Sequence, residues 1–120
     1  CALVAETRIL SHPAANQSIP AAADQEDFVS MGMTTTQKTR QIMENCFGVL
    51  AIEMIASCQA LDIRNATPGK GTAIAHKFIR QQIDHLDDDR PLFPDHETMV
   101  EILQSDSMLN AVEDEIGTIN

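Results

Sequence analysis

Apolar residues recur at intervals of three or four through the middle of the chain, where Met43, Phe47, Leu50, Met54, Cys58 and Leu61 fall on one stripe of a helix. No proline or glycine interrupts Met33 to Phe47, and the pattern predicts one central helix from Met33 to about Arg64. Val49, Ile52, Ile55, Ala56 and Ile63 lie off that stripe, and Glu53 is the only formally charged residue between Cys46 and Cys58. A helix apolar on most sides is surrounded by protein. The charge-poor run of thirteen residues from Cys46 to Cys58 is shorter than the roughly 20 that cross a bilayer. The expected cover is therefore other subunits, or other parts of the same chain.

Shorter elements flank this helix. "CALVAETRIL" reads as the last turns of a helix, and Pro13 and Pro20, which lack the amide hydrogen that continuation requires, open a loop from about Ser11 to Gln25. "NATPGKGT" ends the central helix. Thr72 is the expected cap of a shorter helix running to about Ile83, with Ile74, Lys77, Phe78 and Ile79 along its apolar edge. "DHLDDDRPLFP" is an acidic loop, Asp95 the next expected cap with Met99, Ile102 and Leu103 at helical spacing behind it, and "SDSMLNAVEDEIGTIN" a last, short, acidic helix. No repeat, low-complexity tract or Gly/Ser linker divides the chain, so residues 1–120 are expected to form one segment without an internal boundary.

Composition narrows the class. Four Phe and no Trp or Tyr leave Leu, Ile, Val, Met and Ala to fill a core, which suits close helix packing and predicts an all-α helical bundle. A net charge of -10, from 18 acids against 8 bases, repels phosphate backbones, and no nucleic-acid partner is expected. Cys46 and Cys58, twelve positions apart on one helix, are separated by about 18 Å at its rise per residue and cannot bridge each other. Both are expected in the core as free thiols of a reducing compartment, here the cytoplasm. The chain opens at Cys1 without an initiator Met or a basic region ahead of a long apolar run. No signal peptide is visible, and a piece of a longer chain is expected.

Candidate chemistry is sparse. "GKGT" at Gly69–Thr72 fails as a phosphate loop because the required first glycine would fall on Arg64, and Gly71 stands where Ser or Thr must follow the lysine. A glycine-mediated helix stop and restart fits better. His12, His76, His85 and His96 include no i, i+4 pair, and Asp87, Asp88 and Asp89 lack the glycine and spacing of a calcium loop, so no metal is expected. In "DQEDFVSMG", Asp24, Glu26 and Asp27 precede the central helix. On residue type alone, Asp24 or Asp27 is suited to cap its exposed amides. The stretch alone leaves open whether one carboxylate faces a substrate.

The ordered set "SHPA", "SIP", "QED" with "VSMG", "LAIEMIASCQALDIR", "PGKGT" and "DRPLFPD" resembles the C-terminal part of the aromatic amino acid ammonia-lyases, and within them the histidine enzymes. The resemblance implies a helical bundle with one long central helix, elimination of ammonia from L-histidine to give urocanate, and a tetramer whose long helices meet at its centre. It also implies active sites that combine residues of several subunits, and a methylidene-imidazolone electrophile built from Ala-Ser-Gly. That tripeptide is absent here, since none of Ser11, Ser18, Ser30, Ser57, Ser105 or Ser107 precedes a glycine. The segment alone is therefore expected to be inactive, with the rest of the lyase chain as its partner. The family's active-site glutamate falls on Glu26, where tyrosine and phenylalanine enzymes and aminomutases carry Gln. Its implied role is catalytic and substrate-binding, with Gln25 and Asp27 supporting the turn. The rival readings are a tyrosine or phenylalanine lyase or aminomutase of the same family, and a non-catalytic helical assembly module.

Overall fold

A computed structural model describes residues 1–119, and by its internal contacts the chain divides into two compact units, Cys1–Cys46 and the part from Phe47 onward. The regular structure of the described residues is α-helical, as expected: α1 (Ala2–Leu10), α2 (Gly32–Arg64), α3 (Lys70–Arg80), α4 (Phe93–Gln104) and α5 (Ser107–Ile116), with one 3-10 turn at Ala15–Gln17.

In the first unit α1 ends where the Ser11 N–H bonds to the Thr7 carbonyl at 2.9 Å, its hydroxyl bonds to the Arg8 carbonyl at 2.7 Å, and Pro13 blocks continuation. Polar bonds do much of the seating. Asn45, 4% exposed, donates to Glu6 Oε2 at 3.0 Å, with Thr7 Oγ1 at 3.4 Å, and the Lys38 ammonium donates to the His12 carbonyl.

Helix α2 starts at Gly32, one residue ahead of expectation, and its first turn contains no acid. Asp24 and Asp27 therefore do not cap it. Its other end matches the expected Arg64, but the stop is made by Asn65 at φ 47° and not by a glycine. The Ala66 N–H reaches the Leu61 carbonyl and the Asn65 N–H reaches the Asp62 carbonyl, the paired bonds of a Schellman ending.

The core of the second unit joins Ala51 and Cys58 of α2 to Ile79, Ile83, Met99 and Ile102, with Met54, Ile55, Phe78, Val100, Leu103 and Met108 packed against it. The buried stripe of α2 is thus rotated from the expected one: Leu50 is 45% and Met43 56% exposed, while Ala51 is fully buried. A methyl side chain lets neighbouring elements approach closely where Leu50 would hold them off. Cys58 is buried, but Cys46 is exposed, contrary to its expected place in the core. Ile52 and Ile63 also remain exposed, so α2 is apolar on faces that the described residues do not cover. By length and composition α2 is sufficient to cross a membrane, which the shorter charge-poor run did not indicate.

The expected caps shift. Gly69 caps α3, in extended geometry, leaving Thr72 inside the first turn, and the helix ends at Arg80, with only a turn continuing to Ile83. Leu92 caps α4, leaving Pro94 and Asp95 in its first turn, where proline loses no helical bond and an acid meets the positive helix end. Gly71 has a packing role: a Cβ there would lie 3.1 Å from Ile116 Cδ1 and 3.6 Å from Val112 Cγ1, so its bare backbone admits α5. Beside it Lys70 Nζ donates to the Glu115 carbonyl at 2.8 Å, satisfying an end of α5.

Candidate functional site

Glu26 lies on a loop with unusual backbone geometry. Ala22, Ala23 and Asp24 have φ of 51°, 54° and 66°, three successive left-handed residues without a glycine among them. Each costs on the order of 1–2 kcal/mol relative to ordinary backbone, least for aspartate. The turn persists because it is closed from both sides. Ala21 N–H donates to the Glu26 carbonyl at 2.9 Å and Glu26 N–H to the Ala21 carbonyl at 3.2 Å, while Gln25 N–H reaches the Ala22 carbonyl at 3.2 Å. Outside that pair, the Val29 N–H donates to Ser18 Oγ at 2.8 Å.

The backbone of Glu26 is consequently committed while its side chain is exposed, with no side-chain hydrogen bond or ion pair among the described residues. Gln25 contributes its main chain to the turn. Asp27 lies beyond the bridge, also exposed. Ile19 and Phe28 beside this loop are 65% and 69% exposed. A carboxylate on a held backbone, next to uncovered apolar side chains, can accept a hydrogen bond from a cationic or N–H-bearing ligand once the surrounding surface is covered.

A second acidic centre lies in the other unit and has the opposite character. Asp62 Oδ1 is 2.7 Å from His76 Nε2, and Asp62 Oδ2 accepts from Arg80 Nε at 2.8 Å. Arg80 also donates to Gln59 Oε1 and to the carbonyls of Ile83 and Asp84. Gln59 in turn pairs with the backbone of Leu86, donating to its carbonyl at 3.0 Å and accepting its N–H at 3.1 Å, and lies 2.9 Å from His85 Nε2. Desolvation works against the charge on Asp62, but the bonds and charges of Arg80 and His76 outweigh it and hold the carboxyl below its usual range. Burial raises the Cys58 thiol, consistent with an inert core sulfur. This centre clasps α2 to the end of α3 and the loop after it.

The residue-by-residue reading did not identify the clasp. Its signal was the i, i+3 pair Gln59 and Asp62 facing the i, i+4 pair His76 and Arg80, a spacing sought only between histidines. Of the other histidines, His96 Nε2 donates to the Gly48 carbonyl of α2 at 3.1 Å, His85 Nδ1 is also 3.2 Å from Asp87, and His12 Nδ1 is 3.3 Å from the Pro13 carbonyl. No group of three or more metal-ligating side chains converges among the described residues. A concavity of about 220 Å³ in the second unit is walled by Ile52, Ile55, Leu86 and Leu92; of its two acids, Asp84 and Asp95, the latter is 2.7 Å from Arg90.

A family profile described as aromatic amino acid lyase matches residues 1–81. A histidine ammonia-lyase of Gloeobacter violaceus is 42% identical over 98% of this chain and 23% of its own length, and one of Myxococcus xanthus is 46% identical over 92% and 22%. Among solved structures, a tyrosine aminomutase from Streptomyces globisporus superposes with a TM-score of 0.89 at 32% identity, covering 95% of this chain and 22% of that one. A histidine ammonia-lyase from Trypanosoma cruzi gives 0.87 at 30% identity, over 94% and 23%. The chain spans less than a quarter of the length of these relatives.

Proposed function

The chain belongs to the aromatic amino acid lyase family, and from that premise we propose that it is the C-terminal segment of a histidine ammonia-lyase-like enzyme, with residues 1–120 acting as one part of a longer polypeptide. The substrate is L-histidine. The products are ammonia and urocanate, formed as a β-proton and the amino group leave and a double bond joins the α and β carbons.

The observation that carries this reading is Glu26: an acid in "QED", on a backbone bonded at both its N–H and its carbonyl, with an exposed and unpaired carboxylate. A carboxylate accepts a hydrogen bond from an imidazole N–H and favours positive charge on the ring, a polarity that the neutral amide of Gln does not demand. The same group is suited to take part in proton handling near the β-carbon. Gln25 and Asp27 support the turn around it.

The family's methylidene-imidazolone supplies an electrophile, but no residues of this segment fit its formation because no serine here precedes a glycine. The exposed faces of α2 are covered by the rest of the lyase chain and by further copies in a tetramer. Support comes from Val49, Leu50, Ile52 and Ile63, all exposed here on a helix too apolar for solvent on most sides. In this reading the helix is covered by protein in a cytoplasmic assembly and not by a bilayer.

The test is the full-length enzyme that carries this segment, assayed by urocanate absorbance. Glu26→Gln lowers histidine turnover about a hundredfold while the melting temperature stays near that of the parent. Undiminished turnover sinks the role given to Glu26. A structural likeness to tyrosine aminomutase favours a second reading, a tyrosine-directed member of the family. Assaying tyrosine beside histidine separates the two.

A further inference from the structure

We propose that Ser18, together with the left-handed turn Ala22–Asp24, is a positioning device for Glu26. This inference rests on the reading of Glu26 as the acid that meets the substrate.

Apolar packing does little to hold the loop among the described residues: Ile19 and Phe28 are exposed, and Ala21 and Val29 are only partly buried. Its geometry rests on two nested closures instead. The inner one pairs Ala21 with Glu26 through both main-chain groups, and the outer one joins Ser18 Oγ to the Val29 N–H at 2.8 Å. Left-handed backbone at three consecutive residues with side chains is retained only where surrounding bonds over-determine it. Removal of the outer closure lets the turn relax toward ordinary backbone and shifts Glu26 with it. The carboxylate itself makes no bond that would keep it in place, so its position is inherited from the backbone. Ser18 is partly buried and its oxygen accepts from the Val29 N–H, which suits it to support the loop.

The experiment is a double-mutant cycle in the full-length enzyme, with kcat and KM for histidine and the melting temperature read for the parent, Ser18→Ala, Glu26→Gln and the double variant. Ser18→Ala is expected to lower kcat about tenfold, through misplacement of the acid. In the Glu26→Gln background it should add almost no further loss, because the group it positions is already gone. Ser18→Thr, which keeps the hydroxyl, should restore most of kcat.

An equal loss from Ser18→Ala in both backgrounds overturns the positioning role, since a merely structural residue acts regardless of position 26. So does an unchanged kcat. If Glu26→Gln alone leaves turnover intact, the reading of Glu26 fails and this inference fails with it; a drop from Glu26→Gln with none from Ser18→Ala defeats only the inference. Should Ser18→Ala not fold, Ser18→Cys serves as the second variant, because it keeps the size of the side chain but offers the Val29 N–H only a weak sulfur acceptor. Lower kcat at an unreduced melting temperature supports the device, and unchanged kcat overturns it.

Discussion

Glu26 and Asp62 are both carboxylates near the ends of α2, yet one is left unpaired on a strained turn and the other is saturated by Arg80 and His76. In the loop, main-chain groups bond to one another and the side chain remains available. In the clasp, side chains bond to one another and to backbone carbonyls, leaving little for a ligand. An acid that has already formed its strong charge-assisted bonds has little left to offer a ligand, whereas the acid held by its backbone alone is the one proposed for chemistry.

The largest expected effect separates the two acids by activity. Glu26→Gln cuts histidine turnover about a hundredfold, whereas Asp62→Asn in the same full-length enzyme changes turnover far less and acts on stability. Equal losses of turnover from both would erase the distinction. Next in size is the Ser18→Ala effect on kcat, present only while Glu26 is intact.

Removing the cation of the clasp tests its structural role. Arg80→Met leaves Asp62 with His76 alone and frees the Ile83 and Asp84 carbonyls. The expected cost is about 2 kcal/mol, in the range for hydrogen bonds to charged groups. Thermal unfolding of the full-length enzyme checks it, and an unchanged melting temperature would mean that the clasp contributes little. Acid offers a finer test. A carboxyl depressed in the folded state contributes stability above its unfolded value, near ~3.9, and loses that contribution as pH falls through the lower folded value. The parent enzyme should therefore lose melting temperature more steeply than Asp62→Asn below about pH 4. Parallel curves would remove Asp62 as the source. The smallest effect is at Gly71→Ala, where a methyl 3.1 Å from the flexible tip of Ile116 opposes the better helix propensity of alanine. The net change in stability should stay within about 1 kcal/mol.

Much of the helical order was legible in the chain. The run free of proline and glycine located α2 to within one residue at its start, and Pro13 marked the end of α1, but the loop that follows continues to Met31 and not to about Gln25. Caps were less legible, because Gly69 and Leu92 take the cap positions by backbone path while the polar candidates Thr72 and Asp95 enter the first turns. The clasp escaped notice because its members come from two helices and a loop, and local spacing does not say which helix faces which.

The sequence by itself determined the all-α class, the long apolar helix and, through its ordered motifs, the lyase family. Those properties are local, or are carried by residue order. Only the tertiary structure decided which stripe of α2 is buried, that Cys46 lies outside the core, and that Ala22, Ala23 and Asp24 adopt left-handed backbone. Each of these depends on how closely a neighbouring element approaches or which distant group closes a loop, and neither alanine nor serine announces such a role by its own propensity.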